Sequence, residues 1–250
     1  MLKVAVASQK GGVGKSTLVI TLGAALKAQG LSVLIVDADP QGSATYGMGF
    51  TEAQGLAGLA ALLAGRLEIQ TGSGPWPDLI AGGEATAFHA WQSTEDLRKA
   101  LMPLAPRYDL CLIDCPPSLS SILIAAIMSA DRVFIPVQAD PLVLRGLGKL
   151  VHLIDSTRLG SGENPGAYPV DVVRSRYRAQ LRLTAEADQL LATSERWQVW
   201  QTTIPEQVSI AEAAGHGQPI ITYSSWSTAA RAFENLAVEA IGRWQLKEGR

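Results

Sequence analysis

The sequence predicts an α/β fold, a mainly parallel twisted sheet with helices on both faces, carried by a single domain over residues 1–250. Three observations lead to it. Short apolar runs recur at residues 4–7, 33–36, 110–113, 133–137 and 170–173, each brief enough for a strand. The segments between them carry helical spacing, and strand–helix alternation of this kind builds a parallel sheet covered on both sides. Glycines and carboxylates also gather just past the ends of the runs, at the carboxyl edge where open α/β sheets take their ligands.

The first run opens into Ser8-Gln9-Lys10-Gly11-Gly12-Val13-Gly14-Lys15-Ser16-Thr17, and an apolar helical stretch follows through Leu26. Strand, glycine loop and helix in that order form a phosphate-binding loop. Gly11, Gly12 and Gly14 allow a tight turn that aims several N–H groups at one anion. The first turn of the helix adds unpaired N–H groups and a partial positive charge. Lys15 supplies a full charge for the β- and γ-phosphates, and Ser16 a hydroxyl where Mg²⁺ would sit. The match to the standard G-x-x-x-x-G-K-[ST] is incomplete. Gln9 stands where its first glycine belongs, and a second lysine, Lys10, stands at the front of the loop.

The first helix is expected to stop at Gly30. The second strand, residues 33–36, ends in Asp37-Ala38-Asp39-Pro40-Gln41-Gly42. Residues 51–83 are less regular, with a short helix near 56–64, a loop at 72–77 and a short strand at 78–80. His89 and Trp91 read as packing or surface residues, since no second ligand-type residue is spaced to join them. Ser93-Thr94-Glu95-Asp96 starts a helix carrying Leu97, Leu101 and Leu104. The run at 110–113 ends in Asp114, whose carboxylate at a strand terminus suits the shell of a Mg²⁺ ion. Pro116 and Pro117 follow and stiffen the loop. Helices at 118–128 and 142–153 flank the strand at 133–137; residues 138–140 return to the ligand edge, and 161–166 form a loop.

After the strand at 170–173 come four arginines in nine residues, Arg174, Arg176, Arg178 and Arg182, within a chain of formal charge −2. They are either a solvated helix start or a footprint for nucleic-acid phosphates, with Tyr177 available to stack. The last strand, 199–204, leads into Pro205-Glu206-Gln207. Residues 228–246 form a terminal helix with Ala232, Leu236, Ala237 and Ile241 able to face the core.

Bulk properties bound the class. With 47% hydrophobic and 18% charged residues the chain reads as soluble and globular. Its small net charge argues against wholesale nucleic-acid coating and leaves a local basic face open. Two cysteines, Cys111 and Cys115, are too few for a disulfide framework and point to a reducing cytoplasm. No apolar run approaches the roughly 20 residues needed to cross a bilayer.

Three of these motifs resemble one family. Lys10-Gly11-Gly12-Val13-Gly14-Lys15-Ser16 resembles the deviant Walker A loop of the ParA/MinD ATPases. The Asp37–Gly42 stretch resembles that family's first switch, and Asp114-Cys115-Pro116-Pro117 its second. The resemblance implies ATP and Mg²⁺ as cofactors. It sets Lys10, Gly11, Gly12, Val13, Gly14, Lys15, Ser16 and Thr17 on the nucleotide, and Ser16, Asp37 and Asp114 around the metal. Lys10, Lys15 and Asp39 become the catalytic set, with Asp39 positioning the attacking water and Lys10 reaching across a sandwich homodimer. Residues 204–220 resemble the family's I-P-R-N-x-x-x-x-E-A-x-x-x-G-x-P-I segment, which sets Pro205 and Gln207 near the adenine, although Glu206-Gln207 replace the usual Arg-Asn.

Members of this family bind DNA non-specifically through basic residues late in the chain, which favours the footprint reading of the arginines. A ParB-like partner stimulates their hydrolysis. An iron–sulfur cluster like that of the related nitrogenase iron protein is not expected, because Cys111 falls inside a strand. MinD-type members end in a basic amphipathic anchor. Residues 242–250 offer only Trp244 and Leu246 and read as a docked helix with a frayed tail, so no stable membrane anchor is expected. Nor is an N-terminal helix-turn-helix, since the sequence starts at the first strand. The implied protein is a cytoplasmic, nucleoid-associated ParA-type ATPase that positions a plasmid, a chromosome or another large cargo. The alternatives are a MinD-like membrane-cycling ATPase and a biosynthetic ligase related to dethiobiotin synthetase.

Overall fold

The computed structural model describes residues 1–50, 57–87, 93–138, 141–160, 162, 164 and 168–247. Seven strands form one sheet: β1 Leu2–Val6, β2 Val33–Asp37, β3 Asp78–Ile80, β4 Leu110–Asp114, β5 Arg132–Val137, β6 Val170–Tyr177 and β7 Gln198–Pro205. Their order is β3-β2-β4-β1-β5-β6-β7, and every pair is parallel. The helices are α1 Lys15–Ala28, α2 Ser43–Gly47, α3 Gly58–Leu63, α4 Glu84–Ala87, α5 Asp96–Leu101, α6 Ser121–Ser129, α7 Pro141–Gly160, α8 Arg182–Ala192, α9 Val208–Gly215, α10 Ile220–Tyr223 and α11 Thr228–Trp244.

The apolar runs are continuous because both faces of the sheet are covered. Successive strand residues point to opposite faces, so each run feeds two cores. Val4, Val6, Ile35, Leu110 and Leu112 join one core with α1 and α11, while Ala5, Leu34, Val36, Cys111 and Ile113 join the other with α5, α6 and α7. Cys111, within β4, and Cys115, just past its end, are both free and fully buried in the second core. The terminal helix docks as its spacing predicts. Leu236 and Ala237 are buried, and Ala232 and Ile241 pack against the core. Trp244 is buried too; its indole donates to Asp171 and stands edge-on to Phe134 and Trp200.

Strand order assembles the functional edge. β2, β4 and β1 are neighbours at the centre, so the loop after β1, the acids at and just past the end of β2 and Asp114 at the end of β4 come out side by side. Register makes this close: Asp114 pairs with Val6 on one side and Asp37 on the other. Two local boundaries differ from expectation. β6 runs on to Tyr177 and takes Arg174 and Arg176 into the sheet, not into a helix start. α6 begins at Ser121, where the Ser120 hydroxyl caps it by accepting from the Leu123 N–H. His89, Trp91, residues 139–140 and most of the 161–166 loop lie outside the described residues.

Candidate functional site

The loop between β1 and α1 turns through Gly12 (φ 79°) and Gly14 (φ 86°), left-handed positions that favour glycine. Gly14 is the N-cap of α1, so the N–H groups of the first turn, Lys15 to Thr17, have no carbonyl partner within the helix. Lys10 stands exposed at the front, where the Ser8 hydroxyl donates to its carbonyl. Lys15, by contrast, is buried. Its ammonium donates to Asp114 Oδ1 at 2.7 Å and lies 4.0 Å from Asp39 Oδ2. Burial alone would lower its pKa, but the two carboxylates more than reverse this and hold the ammonium above its usual value.

The carboxylates are buried and crowded. Burial pushes Asp114 upward against the pull of Lys15 and Ser16. Burial and then the neighbouring Asp114 push Asp37 up to about 7, although hydrogen bonds from Thr45 and Asp39 oppose this. Both Thr45 donors, N–H and hydroxyl, reach Asp37 Oδ2 at 2.8 Å, and the Asp39 N–H reaches Oδ1 at 3.1 Å. Asp39 in turn accepts the Gln41 N–H at 3.0 Å. Asp114 Oδ2 is buried with no hydrogen-bond partner, an arrangement that costs stability unless a cation or water reaches it. Ser16, Asp37 and Asp114 offer only oxygen donors, the hard set that Mg²⁺ takes. The residues fit that ion.

Two adjoining cavities follow the loop. One, of about 380 Å³, is lined by Lys10, Gly11, Lys15, Ser16, Asp39 and Pro117 among others. The second, of about 400 Å³, shares Gly12, Gly14 and Thr17 with it and is walled by Leu18, Ile204, Pro205, Gln207, Ile210 and Phe233. A polar cleft beside an apolar one suits a phosphate chain joined to a planar base. Pro205 and Gln207 line the second cavity. The Gln207 amide, however, is engaged with α11, donating to the Thr228 hydroxyl and accepting from the Ala229 N–H.

Arg174 does not share a face with Arg176 and Arg178. Arg174 turns along the sheet, donating to the Trp200 carbonyl at 2.7 Å and pairing with Asp188. Arg176 and Arg178 both pair with Glu206, and Arg182 opens α8. Sequence reasoning missed what β6 does for the loop. The Ser175 hydroxyl donates to the Val13 carbonyl at 2.8 Å, and Arg176 to the Gly12 carbonyl at 3.0 Å. Neighbouring strand residues normally point apart. Here they reach adjacent carbonyls because Arg176 adopts φ 49°, at a cost of about 1–3 kcal/mol. Thr45 was equally hidden: nothing in its spacing from Asp37 announces the contact.

A glycine loop that opens onto strand-end carboxylates at the edge of an all-parallel sheet defines a P-loop nucleotide-binding protein. Residues 1–163 match a family model described as an AAA domain. The chain is 35% identical over 246 residues to the chromosome-partitioning ATPase Soj of Treponema pallidum, covering 94% of this chain and 95% of that one. It is 33% identical over 251 residues to the chromosome partitioning protein ParA of Caulobacter vibrioides, covering 96% and 93%. Among solved structures, a cobyrinic acid a,c-diamide synthase from Mycobacterium smegmatis with bound ADP and magnesium superposes with a TM-score of 0.80. It is 25% identical and covers 100% of this chain and 98% of its own. The chain belongs to the Soj/ParA family of P-loop partitioning ATPases.

Proposed function

We propose that this chain is a ParA-type ATPase that closes into a sandwich homodimer around ATP and Mg²⁺, binds DNA non-specifically in that form, and positions a plasmid, a chromosome or another large cargo. The observation that carries it is the division of labour between two lysines on one loop. Lys15 is buried against Asp114 and Asp39, inside its own site, whereas Lys10 is exposed at the loop front. An exposed lysine beside the phosphate cleft is placed to serve a second copy's nucleotide.

In this reading Lys15 and the N–H groups from Gly11 to Thr17 hold the β- and γ-phosphates. Ser16 and Asp114 hold the metal, with Asp37 supporting them from a network that already uses both of its oxygens. Bound Mg²⁺ would neutralise charge on the phosphate oxygens. Asp39, anchored by the Gln41 N–H, orients the attacking water. Pro205 and the backbone of Gln207 flank the base. Hydrolysis, stimulated by a ParB-like partner, resets the equilibrium from the DNA-binding dimer. Arg178 and Arg182 carry most of the proposed DNA face, together with Arg176; Arg174 contributes least, being held within the sheet.

No helix among the described residues is long and apolar enough to cross a membrane, and the buried Trp244 favours a terminal helix docked on the core over a membrane anchor. A second reading, a biosynthetic ligase, has the Mycobacterium smegmatis synthase in its favour. DNA co-sedimentation with ATP, with ADP and beside a liposome control distinguishes these functions. ATP-dependent retention on DNA, with ATP turnover in the absence of any organic acid, is expected. Turnover that needs an acid substrate, or retention on liposomes alone, would overturn the partition reading.

A further inference from the structure

The second cavity is bounded by a pair of charges that the chemistry above does not use. Arg176 sits in the left-handed region, where a non-glycine residue persists only when its surroundings hold it there. What holds it is a bridge. One guanidinium nitrogen donates to the Gly12 carbonyl at 3.0 Å, and two more reach one oxygen of Glu206. Arg178 grips the other oxygen of that carboxylate. Gly12 lies on the loop wall of the cavity and Glu206 at the end of β7, on the wall beside Pro205. The bridge therefore runs from the loop that cradles phosphate to the strand end that flanks the base. Only a planar, forked cation can serve both ends at once.

We propose that Arg176 and Glu206 form a strap along the base end of the nucleotide cavity, with Arg176 acting as a positioning residue that steadies Gly12 and slows nucleotide release. The inference rests on the nucleotide reading given above and deepens it. The strap touches neither the attacking water nor the metal, so it governs residence time and leaves bond cleavage to Lys15 and Asp39. Its side chains are partly exposed, 45% for Arg176 and 21% for Glu206, so salt weakens it.

Stopped-flow release of N-methylanthraniloyl-ADP from the full chain tests this. The comparison takes wild type, Glu206→Gln, Arg176→Lys and the double variant, each at a temperature where circular dichroism shows it folded. Each single variant should release the probe about three- to tenfold faster, the range for losing a charged hydrogen bond at a partly exposed site. Raising salt should speed release from wild type and leave Glu206→Gln unchanged. The double variant should be no faster than the faster single one, because the bridge is already broken. Wild-type release rates and salt dependence in both single variants would overturn the strap and leave the nucleotide reading standing. A wild-type chain that does not bind the probe would overturn both.

Discussion

Lys15 and Asp39 lie within 4.0 Å of each other, yet their removal should fail in different ways. Lys15→Ala takes away the buried charge that the loop's backbone donors cannot replace, so nucleotide binding should vanish in titration calorimetry. Near-normal affinity would contradict the assignment of the loop. Asp39→Ala leaves Lys15, Ser16 and Asp114 in place, so ATP and Mg²⁺ should still bind. Single-turnover hydrolysis should drop by about 10²–10⁴, the usual scale for a positioned acid–base group. An unchanged rate would return the role to Asp37 or to the loop after Asp114. The cysteines make a quieter case. Burial pushes the Cys111 thiol up to about 12, and Cys115 higher still, so both stay protonated near neutral pH. Native protein should resist thiol reagents until it unfolds; rapid labelling would show that the second core opens readily.

At the scale of elements, the strands and the loop could be read from sequence because their causes are local. A buried parallel strand needs an apolar run, and a phosphate loop needs glycines next to a helix start. β6 resisted the same reasoning. Its apolar stretch ends at Val173, but pairing with β7 carries the strand on to Tyr177, since Arg174 finds the Trp200 carbonyl across the sheet and Asp188 on α8. Of the contacts that finish the site, Ser175 on Val13 joins distant parts of the chain, and Thr45 reaches Asp37 from the next short helix; neither leaves a spacing to recognise. The same geometry refines the DNA prediction. Glu206 offsets charge from both Arg176 and Arg178, so Glu206→Gln should tighten DNA binding and steepen the log–log salt slope, by up to about 0.9 for each arginine freed. Arg178→Gln should do the reverse, while Arg174→Gln should lower stability more than affinity. Salt slopes unchanged by either Glu206→Gln or Arg178→Gln would move the DNA face elsewhere, with Arg231 on α11 the next place to look.

For the molecule as a whole, the sheet order does what no single motif can. It sets the loop, the acids at and just past the end of β2, and Asp114 on adjacent strands, with Lys10 exposed at the loop front. Lys10→Ala should therefore keep nucleotide affinity and lose the ATP-dependent dimer, as read by light scattering. A dimer of wild-type strength would count against the sandwich arrangement. Family membership, by contrast, was legible early, because three short motifs fall in order at the ends of strands that the sheet makes neighbours. The proposed cargo and activating partner would leave no such mark, since both would be recognised on surfaces whose residues need no fixed spacing.

The aromatic knot under α11 has a practical corollary. Trp200 and Trp244 are packed against Phe134, whereas Trp226, just before α11, is 82% exposed. Among the described residues the indoles thus range from packed to exposed, with Trp76 also buried and Trp197 partly so. The packed pair should emit toward the blue and ignore acrylamide. The exposed indole should emit toward the red and be quenched freely. Trp226 lies close in sequence to Thr228, whose hydroxyl holds Gln207 at the wall of the second cavity. Its quenching, read as the difference between wild type and Trp226→Phe, thus offers a label-free optical signal beside that cavity.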